Sequence, residues 1–314
     1  MTILEVWRAP YRPMETQPET NRPHRCSRRF VASRRVYLDI SYLIASGVTK
    51  AERNEQEDNL EAYGVDYETI KFESRRGDVT LDGWYVPPMA EQPVIIFVHG
   101  IGSVRTGDGL TDLAARLHEQ GFGALMFDLR THGSSSGDKI SGGWHERFDV
   151  LGGYDYLLSR GIDSDDIGVL GMSMGAGIAA LAAAAEPGIE ALILDSPYAK
   201  ASELIAQETA HNAPFPEWFV PLFEPGVDIF ADLVFDIDIE GLAPEVAVAE
   251  LSYPLTVIYG SEDTRIPTDH SQGVYPPRLQ GASFGSSKAS SAPTHSSSTR
   301  TSTRAEWPII SSTG

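Results

Sequence analysis

The chain has 314 residues, 41% of them hydrophobic, and carries a formal net charge of −19. That is long enough to bury one large core, and too acidic for nucleic acid or an anionic membrane to be a natural partner. A lone cysteine, Cys26, excludes an intrachain disulfide, and no apolar run is long enough for a membrane-spanning helix, so no stable membrane insertion is expected.

The charge is unevenly spread. Residues 51–272 hold 39 Asp and Glu against 12 Lys and Arg, a balance of −27, and only five of the chain's 25 basic residues are lysine. A surface of this kind stays hydrated in concentrated salt and repels itself when salt is scarce. A salt-adapted cytoplasmic protein is the expected origin, with an ordinary acidic enzyme as the alternative. Residues 1–38 are the reverse, with eight arginines and three acids among prolines at 10, 13, 18 and 23. Residues 1–62 therefore form a basic, partly disordered segment, with a helix expected over about 30–51. Ser27-Arg28-Arg29-Phe30 has the form of a twin-arginine signal, but Arg34, Arg35 and Asp39 interrupt the stretch that should be apolar. Export and peripheral membrane association are the minor alternatives to a cytoplasmic location.

From residue 63 the elements alternate. Residues 67–73 and 79–86 switch between apolar and polar side chains, the pattern of an antiparallel pair. Apolar runs at 94–98, 123–127, 167–171 and 190–194 read as buried strands, with helices over about 107–120, 144–160 and 174–186 between them. Strand–helix alternation predicts a mostly parallel, doubly wound sheet. Residues 199–250 break this rhythm with prolines and aromatics, among them Trp218, Phe219 and Phe223. They read as a small cap insertion whose aromatics either line an acyl pocket or fasten helices to the core. Leu255 to Tyr259 restores a strand, ending in Gly260-Ser261-Glu262-Asp263.

The most specific signal is Gly171-Met172-Ser173-Met174-Gly175, set between the strand at 167–171 and an alanine-rich helix. Strand, glycine-flanked turn and helix is the setting of a nucleophile elbow, in which Ser173 stands at the head of the helix and the Met174 N–H faces a developing oxyanion. His99-Gly100-Ile101-Gly102-Ser103 follows the strand at 94–98, where a loop offers a second donor, the Ile101 N–H. With Tyr63 to Glu68, Leu81-Asp82-Gly83-Trp84 and Asp195-Ser196-Pro197-Tyr198, these segments resemble the α/β-hydrolase superfamily, and within it the serine aminopeptidase (S33)/Bem46-like branch. The resemblance covers about residues 63–272 and implies an α/β-hydrolase fold and a Ser–acid–His triad, without naming a substrate.

On that resemblance Ser173 is the nucleophile and Asp263 the acid that orients the base, with Asp195 as an alternative acid. The superfamily places the histidine roughly 30 residues beyond the acid. His295 meets the spacing, but it lies in Ser/Thr-rich sequence. His270 and His99 read as structural, as do Asp128, Arg130, His132, Glu146 and Asp149. No metal-ligand spacing, Walker loop or dinucleotide fingerprint is present, so no metal and no cofactor is implied. The expected activity is cleavage of an ester, thioester or amide through an acyl-enzyme, acting on a small acyl or peptide substrate. A hydrolase-fold protein without a placed base is the alternative.

Residues 273–314 hold 16 Ser and Thr, four basic residues and one acid. The fold calls for a further strand, a histidine loop and a closing helix, and the composition writes none of them. Read one base out of register, the Ser and Thr codons permit an acidic stretch around 296–307 and a histidine near 294. A frameshift near Gln272 is therefore expected, and a genuine Ser-rich tail is the alternative.

Overall fold

A computed structural model of the chain describes residues 24–50, 53–55, 58–203, 221–261, 263, 266–275 and 283–287. Among them are eight strands: β1 Glu68–Glu73, β2 Thr80–Val86, β3 Val94–Val98, β4 Gly123–Phe127, β5 Ile167–Met172, β6 Ala191–Asp195, β7 Thr256–Gly260 and β8 Ser283–Ser287. Seven α-helices accompany them: α1 His24–Val48, α2 Leu110–His118, α3 Arg147–Ser159, α4 Met174–Ala185, α5 Glu224–Phe235, α6 Pro244–Glu250 and α7 Thr268–Val274.

The strands make one sheet in the order β1-β2-β4-β3-β5-β6-β7-β8. The β1–β2 and β2–β4 ladders are antiparallel and every other ladder is parallel. This is the doubly wound sheet that the alternating pattern predicts. Both faces are covered, because neighbouring residues of a strand point to opposite sides. Ile96, Val98, Leu125, Phe127 and Val169 pack with residues of α3, α4 and α6, while Phe97, Met126 and Leu170 pack with residues of α2. Strands sandwiched in this way need no polar alternation, which is why β3 and β4 read as continuous apolar runs.

A third apolar cluster sits outside the sheet. Ala45 of α1 joins Phe223, Val227, Ala231 and Phe235 of the insertion, above Leu181 of α4 and Tyr198. Tyr37 stacks on Phe223 with ring centres 5.3 Å apart, and Tyr42 meets Phe230 edge-on. Phe223 is thus an anchor between α1 and the insertion. Trp218 and Phe219 lie outside the described residues.

The sheet's far edge corrects one expectation. Residues 283–287 form β8, parallel to β7 from Thr256↔Ser283 to Gly260↔Ser287, where the composition predicts no strand. A ladder is built from backbone N–H and C=O groups, and an exposed edge such as that of β7 offers them whatever side chains the next segment carries.

Candidate active site

Ser173 joins β5 to α4 in a backbone conformation that side-chain-bearing residues avoid, φ 55° and ψ −120°. Strain of this type costs on the order of 1–3 kcal/mol, so surrounding contacts must hold it. Its N–H donates to the Asp195 carbonyl at 2.8 Å, tying the turn to the end of β6. The flanking glycines allow the helix to come close. A β-carbon on Gly171 would lie 2.3 Å from the Gly175 carbonyl oxygen, and one on Gly175 would lie 2.2 Å from that of Val98. The two glycines of the pentapeptide are therefore dictated by backbone packing. Met174 is the first residue of α4, and its N–H has no acceptor within the helix.

The loop between β3 and α2 stands against this turn. A β-carbon on Gly100, the residue before Ile101, would be 3.3 Å from the Ser173 Cβ. Two devices shape the loop. The Gly100 N–H donates to Asp108 Oδ2 at 3.0 Å. Arg105, 5% exposed, donates its N–H to Asp128 Oδ1 at 2.9 Å and its Nη1 to both the backbone and the carboxylate of Asp82. Asp128 is fully buried and also accepts the Ser134 N–H, so it joins the loops after β3 and β4.

Acids crowd the carboxyl ends of the central strands. Asp195 ends β6, and its Oδ1 accepts the Ser196 hydroxyl at 2.9 Å. Burial pushes its carboxyl up to about 6, with the Asp263 and Asp108 carboxylates adding to the rise. Asp263 follows β7 in a turn closed by its N–H to Gly260 and by its Oδ1, which accepts the Ile266 N–H at 3.0 Å. Ser173, Asp195, Asp263 and Asp108 thus share one end of the sheet. His295 lies outside the described residues.

Two candidate histidines have other partners. The Leu129 N–H donates to His99 Nε2 at 3.0 Å, so the His99 proton is on Nδ1, which donates to the Gly100 carbonyl at 2.8 Å. Burial lowers His99 to about 4, and the neighbouring ring of His132 acts in the same direction. His270 Nδ1 accepts the Ala199 N–H at 3.2 Å. Both rings are bonded to loop backbone. Arg130 is bidentate to the buried Asp149, and Glu146 collects the N–H groups of Ser141 and Gly143. Sequence reasoning missed Asp108, Arg105, Arg53 and Asn54, each a polar residue in a loop without periodicity. Among the described residues no cluster of three metal-ligating side chains occurs.

An eight-stranded, mostly parallel sheet, with a strained serine between a central strand and its helix, gives the chain the α/β-hydrolase fold. Residues 90–234 match the family model described as serine aminopeptidase, S33. Lysophosphatidylserine lipase ABHD12 of Rattus norvegicus is 27% identical over 68% of this chain and 52% of its own length. The uncharacterized protein YqkD of Bacillus subtilis (strain 168) is 28% identical over 62% of this chain and 63% of its own. The chain thus spans less than two thirds of either relative. Among solved structures, the Pyrococcus furiosus esterase Pf2001 superposes with a TM-score of 0.60 at 23% identity, covering 76% of this chain and 88% of that one. Est1E from Butyrivibrio proteoclasticus superposes at 0.52 with 19% identity, over 68% and 88%. No helix among the described residues is long and apolar enough to cross a membrane.

Proposed function

We propose that the protein is a serine hydrolase that cleaves an ester, thioester or amide through an acyl-enzyme on Ser173. The backbone of Ser173 supports this reading: a non-glycine residue at φ 55° between strand and helix is strained, and a nucleophile elbow uses such strain to hold its hydroxyl clear of the chain. In the proposed reaction a neutral imidazole takes the Ser173 proton as Oγ attacks the carbonyl carbon. The Ile101 and Met174 N–H groups receive the negative charge that gathers on the carbonyl oxygen. The imidazolium then protonates the leaving group, and water repeats the cycle to free the acid.

Asp263 is the proposed partner of the imidazole, and His295 is its candidate by spacing, 32 residues on. The activity in the name of the rat relative makes a single-chain acyl ester of a phospholipid the first natural substrate to try. Short p-nitrophenyl esters and a fluorophosphonate probe supply the test. Ser173 should take the label, and Ser173→Ala should lose both label and ester hydrolysis, by several orders of magnitude in turnover. Near-parental hydrolysis by Ser173→Ala would refute the mechanism.

A second reading rests on the composition of residues 273–314. If the frame is broken near Gln272, the chain as written lacks its base, and Ser173 keeps an ordinary hydroxyl. The gene's DNA across codons 265–314 decides this, together with His295→Ala. Restoring the alternative register should then raise ester hydrolysis. A written chain that hydrolyses esters well, and loses that on His295→Ala, makes His295 the base.

A further inference from the structure

We propose that Arg53 and Asn54 form a strap that ties the loop after β4 to the loop after β3, which stands beside Ser173, making these two residues a working part of the active site; the catalytic consequence rests on the serine-hydrolase reading above. The Arg53 guanidinium donates to three carbonyls of the loop after β4: Gly133 at 3.0 Å, Ser135 at 2.6 Å and Gly137 at 2.9 Å. Those carbonyls converge because Gly133 and Gly137 take φ values of 43° and 106°, which fold the loop back on itself. Carbonyls pulled out of regular structure need donors, and a planar guanidinium can serve three at once where an ammonium cannot do so in a fixed plane.

Asn54 reaches the other loop. Its Nδ2 donates to the carbonyl of Gly102, the residue next to the proposed oxyanion donor Ile101, at a turn where Gly102 has φ 66°. The Thr49 carbonyl completes the attachment by accepting the Ile140 N–H at 2.9 Å. Upstream, α1 is fastened to α5: a β-carbon on Gly226 would be 2.2 Å from the Ser41 hydroxyl, and Tyr42 stacks on Phe235. Contacts therefore join the insertion to α1, Thr49 to Ile140, and Arg53 and Asn54 to the two loops. Arg53 and Asn54 lie outside the 90–234 family match.

Both are positioning residues, and backbone exchange reads their effect without catalysis. The Ser103 N–H is bonded to the Gly100 carbonyl and the Thr131 N–H to that of Ser136, so their exchange reports opening of each loop. In the full chain, Asn54→Leu keeps the shape and removes the donor. It should speed exchange at Ser103 about fivefold, the equivalent of one hydrogen bond, and lower kcat by a similar factor at unchanged KM. Arg53→Gln and Arg53→Lys should both speed exchange at Thr131. A lysine that restored the parental rate would mean a charge effect and overturn the carbonyl clamp. Parental exchange at Ser103 in Asn54→Leu would overturn the strap. Ser173→Ala run beside them keeps the two readings apart: its retained activity would defeat the serine mechanism, while the exchange rates still judge the strap.

Discussion

At the scale of single residues, the site is held by close backbone approach and contains two groups whose burial shifts their titration. Gly175→Ala would press a methyl against the Val98 and His99 carbonyls, at 2.2 and 2.5 Å before relaxation. Neither neighbour is a flexible side-chain tip, so the variant should lose about 3 kcal/mol, read as a lower urea midpoint at unchanged slope. The titrating groups give a pH signature. His99 falls from 6.5 to about 4 on burial, so between those values the unfolded chain binds a proton that the folded chain refuses, and stability drops as pH falls through the window. Asp195 rises from 3.8 to about 6, so the folded chain keeps a proton that the unfolded chain has released, and stability drops as pH rises through 3.8 to 6. The two slopes oppose each other. Removing one exposes the other: Asp195→Asn should become more stable relative to the parent as pH goes from 4 to 6, by about 2 kcal/mol, in urea melts at each pH. A difference that stays constant over that range would show that Asp195 titrates near its ordinary value.

At the scale of elements, a buried ion-pair network binds the antiparallel hairpin to the parallel sheet. Arg130 joins Asp149 of α3, at 2.7 Å, to Asp78 at the β1–β2 turn, and Asp149 is fully buried. Deleting the cation strands that carboxylate, so Arg130→Met should cost about 3–5 kcal/mol in a denaturant melt. The double change Arg130→Met/Asp149→Leu should recover much of it, since an apolar pair leaves no orphaned charge. The strands were legible because burial on both faces writes itself as runs such as Val94-Ile95-Ile96-Phe97-Val98, and the elbow because Gly171 and Gly175 are dictated by contact. Helix starts were less so. The α2 helix begins at Leu110 rather than near 107 because Gly109, at φ 76°, ends the loop only there, and α3 begins at Arg147 because Glu146 commits its carboxylate to the preceding loop. β8 escaped because a strand ladder is built from backbone groups, which leave no side-chain pattern in the sequence. Arg53 and Asn54 escaped because one side chain reaching a carbonyl some 80 or 48 positions away leaves no period in the sequence.

At the scale of the molecule, the fold has above all to accommodate its own charge. The body between residues 51 and 272 carries −27, and its described ion pairs use few cations: Arg75 serves both Asp155 and Glu186, and Lys200 serves both Glu203 and Glu245. Each shared cation leaves acids in excess, and the excess acts as repulsion across the surface. Exposed pairs such as Arg160–Glu68 contribute little on their own and are screened by the same ions that relieve the repulsion. The two effects of salt therefore have opposite signs, and the numbers decide between them. A handful of surface pairs at up to about 1 kcal/mol each is outweighed when a 27-charge excess has its range cut from about 10 Å at 0.1 M to about 3 Å at 1 M. Melting temperature should rise across a KCl titration over that span. It should rise less in a variant that replaces exposed acids, such as Asp228 and Asp232 on α5, by asparagine. A curve that is flat or falls would mean that local ion pairs, rather than the excess charge, set the salt response, and the case for adaptation to a concentrated-salt interior would fall with it.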